Sequence, residues 1–526
     1  MTSTLTRPAT ATTDATSAPP APAAAGSWAT SGDHKQLGLL FMAGGLVAIL
    51  GGALVAGFFQ LPNVNDNTRI WTGVTSRLAS ANVSLSLVIG IPALWIGLAS
   101  YVTPLQIGSS RLALPRLHGL ALWTYAAGAI LAAVGYGAGR PPISGLGSSI
   151  PAMARKGSSA GAPTELVVMG LLLVALATFL AAASLLVTLL NGRTEGMRLV
   201  HLPPFSWSTL ATSTVLVLAT PVFMAGLTLL FYDQHYGGTL FASEPGGRRI
   251  WQHQLWVLGQ PMALLFSAAC VGSFCDVVST AARRPLSGFG LARGAAVAAP
   301  FLTLLLWAGN LSTLRSPFGP VATLGGVLVG APLVLALLSW AGTLRSGAVR
   351  VNPALFFLGA FLAVVALAAS ASVAAVFVGI EGRGVESFRN GQTTLLVLGA
   401  PLLGLAGAAV HWSPKISGRS PSAGASGLLC LLLLGGIVLT ALPAYLVGFG
   451  AGGAVVPLGA AGSVLTAAGV LLVLVNLVGT RRSGPDDPYG GLTLEWATSS
   501  PPPPHNFDTV PDIRSPHPLA PPGKAE

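Results

Sequence analysis

Between Leu39 and Val478 the chain alternates long apolar stretches with short polar breaks. A hydrocarbon layer of about 30 Å takes roughly 20 residues of helix to cross. Stretches of that length are predicted near 38–59, 80–101, 118–138, 165–191, 209–231 and 253–280, then near 293–311, 320–345, 353–380, 393–412, 424–447 and 453–478. The pattern predicts an all-α fold, a polytopic membrane helix bundle of about 12 transmembrane helices. An even number of crossings places both termini on one side. Glycine and alanine recur in nearly every span, as at Gly44-Gly45, Gly51-Gly52 and from Ala360 to Ala375. Small residues let helix backbones approach closely, so packing is their expected role.

Composition strengthens the membrane reading. Of 526 residues, 52% are hydrophobic and 8% charged, against about 25% charged in a soluble domain. The net charge of +11 does not indicate nucleic acid, because the basic residues fall in the polar breaks, as at Arg193/Arg198, Arg283/Arg284 and Arg481/Arg482. Nucleic-acid binders gather such charge on one face; here it flanks spans, and membrane lipids are the expected surroundings. Lys35, Arg481 and Arg482 lie beside the first and last spans and favour cytoplasmic termini. Residues 1–30, rich in Ala, Thr, Pro and Ser, lack the apolar core of a signal peptide and are expected to form a disordered tail. Pro501 to Pro504 favour extended polyproline backbone in a C-terminal tail. The division expected is a tail over 1–30, a membrane domain over 31–480 and a Pro-rich tail over 481–526.

Candidate chemistry inside the spans is sparse. An ionisable side chain within a membrane marks function by default. None of the 16 acidic residues lies near a span centre; Asp276 comes closest, near a helix end. No Lys or Arg is placed mid-span, which argues against a pump or ion-coupled transporter built on buried carboxylates. The eight histidines show no converging metal-ligand spacing. His411, beside Trp412, is expected to sit at the membrane interface. Cys270, Cys275 and Cys430 lie in apolar spans without a CxxC pair and are expected to be packing residues. No phosphate-binding loop, dinucleotide fingerprint or nucleophile elbow is present.

Several blocks carry a resemblance. They are Gly32-Asp33-His34-Lys35-Gln36-Leu37-Gly38, residues 101–123, Phe231 to His235, Trp251 to Trp256, and Pro414 to Arg419. The tail adds Asp486-Asp487-Pro488-Tyr489-Gly490-Gly491, Leu494 to Ser499, and Pro503-Pro504-His505-Asn506-Phe507. In order and spacing they resemble subunit I of the haem–copper oxidases of the cytochrome c oxidase type, over about residues 30–515. The resemblance implies a bacterial plasma-membrane protein with cytoplasmic termini and oxidase subunits II or III as partners. It also implies two haems and a copper ion held by six histidines.

Aligned through those blocks, the family's ligand positions fall on Asn82, Gln260, Gly309, Asn310, Gln392 and Thr394. Its cross-linked tyrosine falls on Leu264, its membrane glutamate on Met262, and its lysine and threonine near Ala336 and Leu333. No arginine lies between Arg419 and Arg481, where a propionate-binding pair would be expected. From these departures we expect no catalytic, cofactor or metal residue and no bound cofactor. The chain is then expected to be a degenerate, non-catalytic homologue, a pseudoenzyme in a respiratory oxidase-type complex, its interior repacked around the replacements. Two alternatives stay open: a divergent terminal oxidase reducing oxygen with electrons from cytochrome c, and a module binding a small neutral ligand in the haem cavity.

Overall fold

The computed structural model describes residues 31–520 apart from 61–81, 83, 139–161, 237–239, 241–259, 312–318, 351, 379–382, 452–454, 456 and 479–484. The expected N-terminal tail and the Trp251 to Trp256 block, with His253, lie outside the described residues. Twelve helices follow in chain order, and no strand occurs among the described residues. They are α1 (His34–Gln60), α2 (Ser84–Gln106), α3 (Pro115–Ala138), α4 (Ala162–Asn191), α5 (Pro204–His235) and α6 (Gln260–Ala282). Then come α7 (Phe289–Leu311), α8 (Gly319–Ser346) and α9 (Ala354–Val378). The helix α10 joins Arg383–Gln392, Thr393–Gly399 and Ala400–Ser417 in series, and α11 (Ala423–Gly448) and α12 (Pro457–Val478) complete the set. Among the described residues, 10 are long and apolar enough to cross a membrane.

Local chemistry sets the helix ends. Pro204 opens α5, where its missing N–H has no intrahelical partner to lose. Ser422 caps α11, its side chain accepting from the Ala425 N–H at 3.2 Å. At the end of α10, Gly418 turns left-handed (φ 70°) and its N–H reaches Pro414 O at 2.9 Å, a cap that glycine makes without Cβ strain.

Most consecutive helices pack side by side, α8 and α9 excepted, and α1 lies against α12. α2 and α6 are almost wholly buried, whereas α3, α5 and α11 show most of their surface outward. The small residues act as expected. A Cβ added to Gly128 of α3 would stand 2.7 Å from Gly170 O of α4, and one on Gly170 would meet Gly128 O at 2.7 Å. Backbone contact that tight supplies the dispersion energy that apolar burial cannot supply in lipid.

The C-terminal tail departs from the extended segment expected. It turns back on one end of the bundle and buries Leu494, Trp496, Phe507 and Ile513. Extended proline-rich backbone has carbonyls with no internal donors, and Lys35 supplies donors: its Nζ reaches Pro503 O at 2.9 Å and Asn506 Oδ1 at 2.9 Å. Asn506 Nδ2 donates to His34 Nε2 at 2.9 Å and to Ser109 O at 2.6 Å. Lys415, fully buried, donates to Thr498 O at 2.6 Å. These bonds join the first helix, the α2–α3 turn and the end of α10 through one segment.

Candidate functional site

Two helices carry π-helical turns, and both begin beside a residue singled out from the sequence. α2 opens with Ser84–Gly90, just after Asn82. The middle of α10 is Thr393–Gly399, just after Gln392. A π turn adds one residue per turn, swells the helix and is frequent at functional sites. The two swollen segments meet through Leu87, Val397 and Leu398.

Asn82 and Thr394 line one small cavity, of about 50 Å³, together with Ser86, Thr440, Ser463 and Thr466. It lies toward the last turns of α1, at Ala53 and Ala56, and so toward the end of the bundle away from the docked tail. Ser86 Oγ donates to Asn82 Oδ1 at 3.2 Å. Gln392 is turned elsewhere: its Nε2 donates to Ala368 O at 2.9 Å and Ser372 Oγ at 2.7 Å on α9. Gln260 is on α6 and Gly309 and Asn310 on α7, and their side chains lie outside the described residues. The structure therefore brings two of the six positions to one space and commits a third to a helix–helix contact.

A second cavity, of about 30 Å³, is lined by Met262, Leu265, Val88, Phe223 and other apolar groups with Thr178, Thr220 and Thr303. Among the described residues, neither is lined by a histidine.

The buried histidines are used structurally. His34 Nδ1 donates to Ser100 O at 3.0 Å, and His118 Nε2 meets Ser100 Oγ at 2.9 Å. His411, expected at the membrane interface, does not face outward. It is fully buried, pairs with Asn352 Nδ2 at 3.1 Å, stacks on Tyr489 and meets Trp412 and Trp496 edge-on. Tail residues cover it, which a helix-end position could not reveal.

Sequence reasoning missed a buried acid–amide–acid cluster at the tail-side end. Gln106 Nε2 donates to Asp276 Oδ2 at 3.0 Å and to Glu495 Oε1 at 3.1 Å, while its Oε1 accepts from Ser206 Oγ at 2.7 Å. The Phe205 N–H adds 3.3 Å to Asp276, and Trp412 Nε1 adds 3.2 Å to Glu495. Burial holds the Glu495 carboxyl above its ordinary value, against the opposing pull of these hydrogen bonds. Its one sequence signal was the Leu494-Glu495-Trp496 string, which carries no hint of Asp276 more than 200 positions earlier.

As donors for haem iron or copper, the described groups at the singled-out positions do not fit. Haem and copper centres of this kind call for imidazole or thiolate. Asn82 and Thr394 offer a carboxamide and a hydroxyl, and Gln392 has its amide N–H groups engaged on α9. Among the described residues, no group of three His, Cys, Asp or Glu side chains is placed to hold a metal.

Twelve helices among the described residues, a bundle laced by small residues and a docked tail define a polytopic helical membrane protein. The profile of the family described as cytochrome c and quinol oxidase polypeptide I matches residues 36–455. The chain belongs to that family, as the resemblance implied. It is similar to the quinol oxidase subunit 1 of Bacillus subtilis, 26% identical over 520 residues, covering 93% of this chain and 79% of that one. It is likewise similar to that organism's cytochrome c oxidase subunit 1, 26% identical over 517 residues (93% and 82% covered). A haem–copper oxidase subunit I+III of Aeropyrum pernix is 28% identical over 525 residues, covering 93% of this chain and 62% of the relative.

This kinship corrects one expectation. The sequence reading expected no bound cofactor, and membership of a family with relatives named as haem–copper oxidase subunits overturns it. Unsuitable donors at a few positions do not establish that a chain is without a cofactor.

Proposed function

We propose that this chain is a membrane subunit of an oxidase-type complex that does not itself reduce oxygen. The observation that carries the reading is the fate of Gln392. A position that the resemblance assigns to a metal ligand is instead a two-bond bridge between α10 and α9. Asn82, Gln260, Gly309, Asn310, Gln392 and Thr394 are, on this reading, replaced ligand positions, and the chain has no catalytic residue. The tail-side end supports a retained structural role, since its buried bonds link four separate segments of the chain. Partners are other oxidase-type subunits resembling II or III, and the termini face the cytoplasm of a bacterium. The division into a tail over 1–30, a membrane domain over 31–480 and a tail over 481–526 belongs to the same proposal.

The test is affinity isolation of the tagged chain from its own membranes in mild detergent. Oxygen uptake is then measured with reduced cytochrome c and with a quinol. The expected result is co-purification of further oxidase-type subunits and no uptake by the chain once it is separated from them. Steady turnover by the separated chain overturns the proposal.

A further inference from the structure

The polar lining of the Asn82 cavity repeats one hydrogen-bonding arrangement. Thr394 Oγ1 donates to Asn390 O at 3.0 Å and Thr440 Oγ1 to Gly436 O at 2.8 Å. Ser463 Oγ donates to Gly459 O at 3.0 Å and Thr466 Oγ1 to Gly462 O at 3.0 Å. Each of the four hydroxyls uses its proton on the carbonyl one turn back in its own helix. Each therefore keeps an oxygen that can only accept. Ser86 uses its proton on Asn82 Oδ1, so among the described residues the Asn82 amide N–H groups are the donors that this lining has to offer.

The rest of the wall is aliphatic: Ile49, Leu398, Leu402 and Ile437. Among the described residues, no charged side chain lines the space. In a bilayer no solvent is at hand to satisfy such acceptors, and a matched ligand recovers that cost. A cation finds no countercharge here, and an anion finds acceptors. What the lining matches is a group that donates one hydrogen bond and accepts another, attached to an aliphatic chain.

We propose that this cavity binds the hydroxyl head of a neutral aliphatic alcohol taken from the membrane, the O–H donating to a Ser or Thr oxygen and accepting from Asn82 Nδ2. This goes beyond the subunit role proposed above and does not depend on it, since binding is read without any oxygen-uptake assay. The experiment uses the full-length protein in detergent with a photoreactive diazirine octanol as probe, and peptide mass spectrometry to locate the adduct. The expected result is saturable labelling on Ile49, Leu398 or Ile437, suppressed by excess 1-octanol. Ser463→Ala should weaken it about fivefold, the scale of one lost hydrogen bond, with helicity by circular dichroism unchanged.

Labelling that excess octanol does not reduce, or that spreads over outward-facing side chains, overturns the proposal. A haem or ordered water alone found filling the space does the same. If Ser463→Ala does not fold, the octanol competition curve on the unaltered protein decides the matter, and an Ala56→Phe variant that fills the space should abolish the saturable fraction.

Discussion

The two ends of the bundle handle buried polar groups in opposite ways. At the tail-side end they bond over long stretches of sequence: Gln106 with Glu495, Lys35 with Asn506, Tyr101 with the Lys415 carbonyl. At the Asn82 end the hydroxyls bond to their own helix four residues back. Long-range bonds fix segments relative to one another, and cutting one strands a buried partner. Local bonds survive a shift of neighbouring helices and leave acceptors available. One end is therefore built for rigidity and the other can admit something.

The contrast can be broken most severely at Gln106. Gln106→Leu leaves Asp276 and Glu495 without their shared donor in a buried site, and the expected loss is about 3–5 kcal/mol, read as a large drop in thermal stability in detergent. Asn506→Ala comes next. It removes partners of Lys35, His34 and Ser109 and should cost about 2–3 kcal/mol, with faster protease cleavage within 485–520 as the direct readout. Unchanged cleavage in that variant would mean that the Asn506 bonds do not hold the tail.

A pH profile sharpens the same contrast. Glu495 is held above its ordinary carboxyl value by burial, so the folded state binds its proton more tightly than the unfolded chain. Its contribution is complete below the unfolded value near 4.5 and fades as pH rises through the raised folded value. Burial lowers His517 to about 4 from 6.5, and the sign reverses: its contribution is present above 6.5 and is lost as pH falls toward 4. Tail protection from protease should therefore decline on the alkaline side through Glu495 and on the acid side through His517. Glu495→Gln should flatten the alkaline slope alone. The smallest effect is expected at Gln392→Leu, which gives up two bonds to α9 and should cost about 1–2 kcal/mol while leaving tail cleavage unaltered.

Hydropathy located the helices well because each must present an apolar surface along its length. The stretches read at 118–138 and 424–447 are Pro115–Ala138 and Ala423–Gly448. The errors lie at the ends, where prolines and caps outweigh hydropathy: the stretch read at 209–231 runs from Pro204 to His235. The shared cavity of Asn82 and Thr394 was legible through matching loops on either side of their spans. The Gln106 cluster was not, because its members come from α2, α6 and the tail, and no local periodicity links them. Asp276 looked unremarkable near a helix end until the tail was seen to cover that end. The burial of His411 was hidden for the same reason.

The Lys35–Asn506 clasp has a consequence for the order of biosynthesis. His34 and Lys35 begin the first membrane helix, yet their partner Asn506 lies 472 and 471 residues later. In the folded protein Lys35 also lies 3.6 Å from Asp33, whereas Gln106 and Lys415 wait for Glu495 and Thr498. A segment made late is thus the one that closes the polar end of the first helix. A chain truncated before residue 495 would carry every hydrophobic span and still expose that unfinished end, a mark by which quality-control proteases could tell an incomplete product from a finished one.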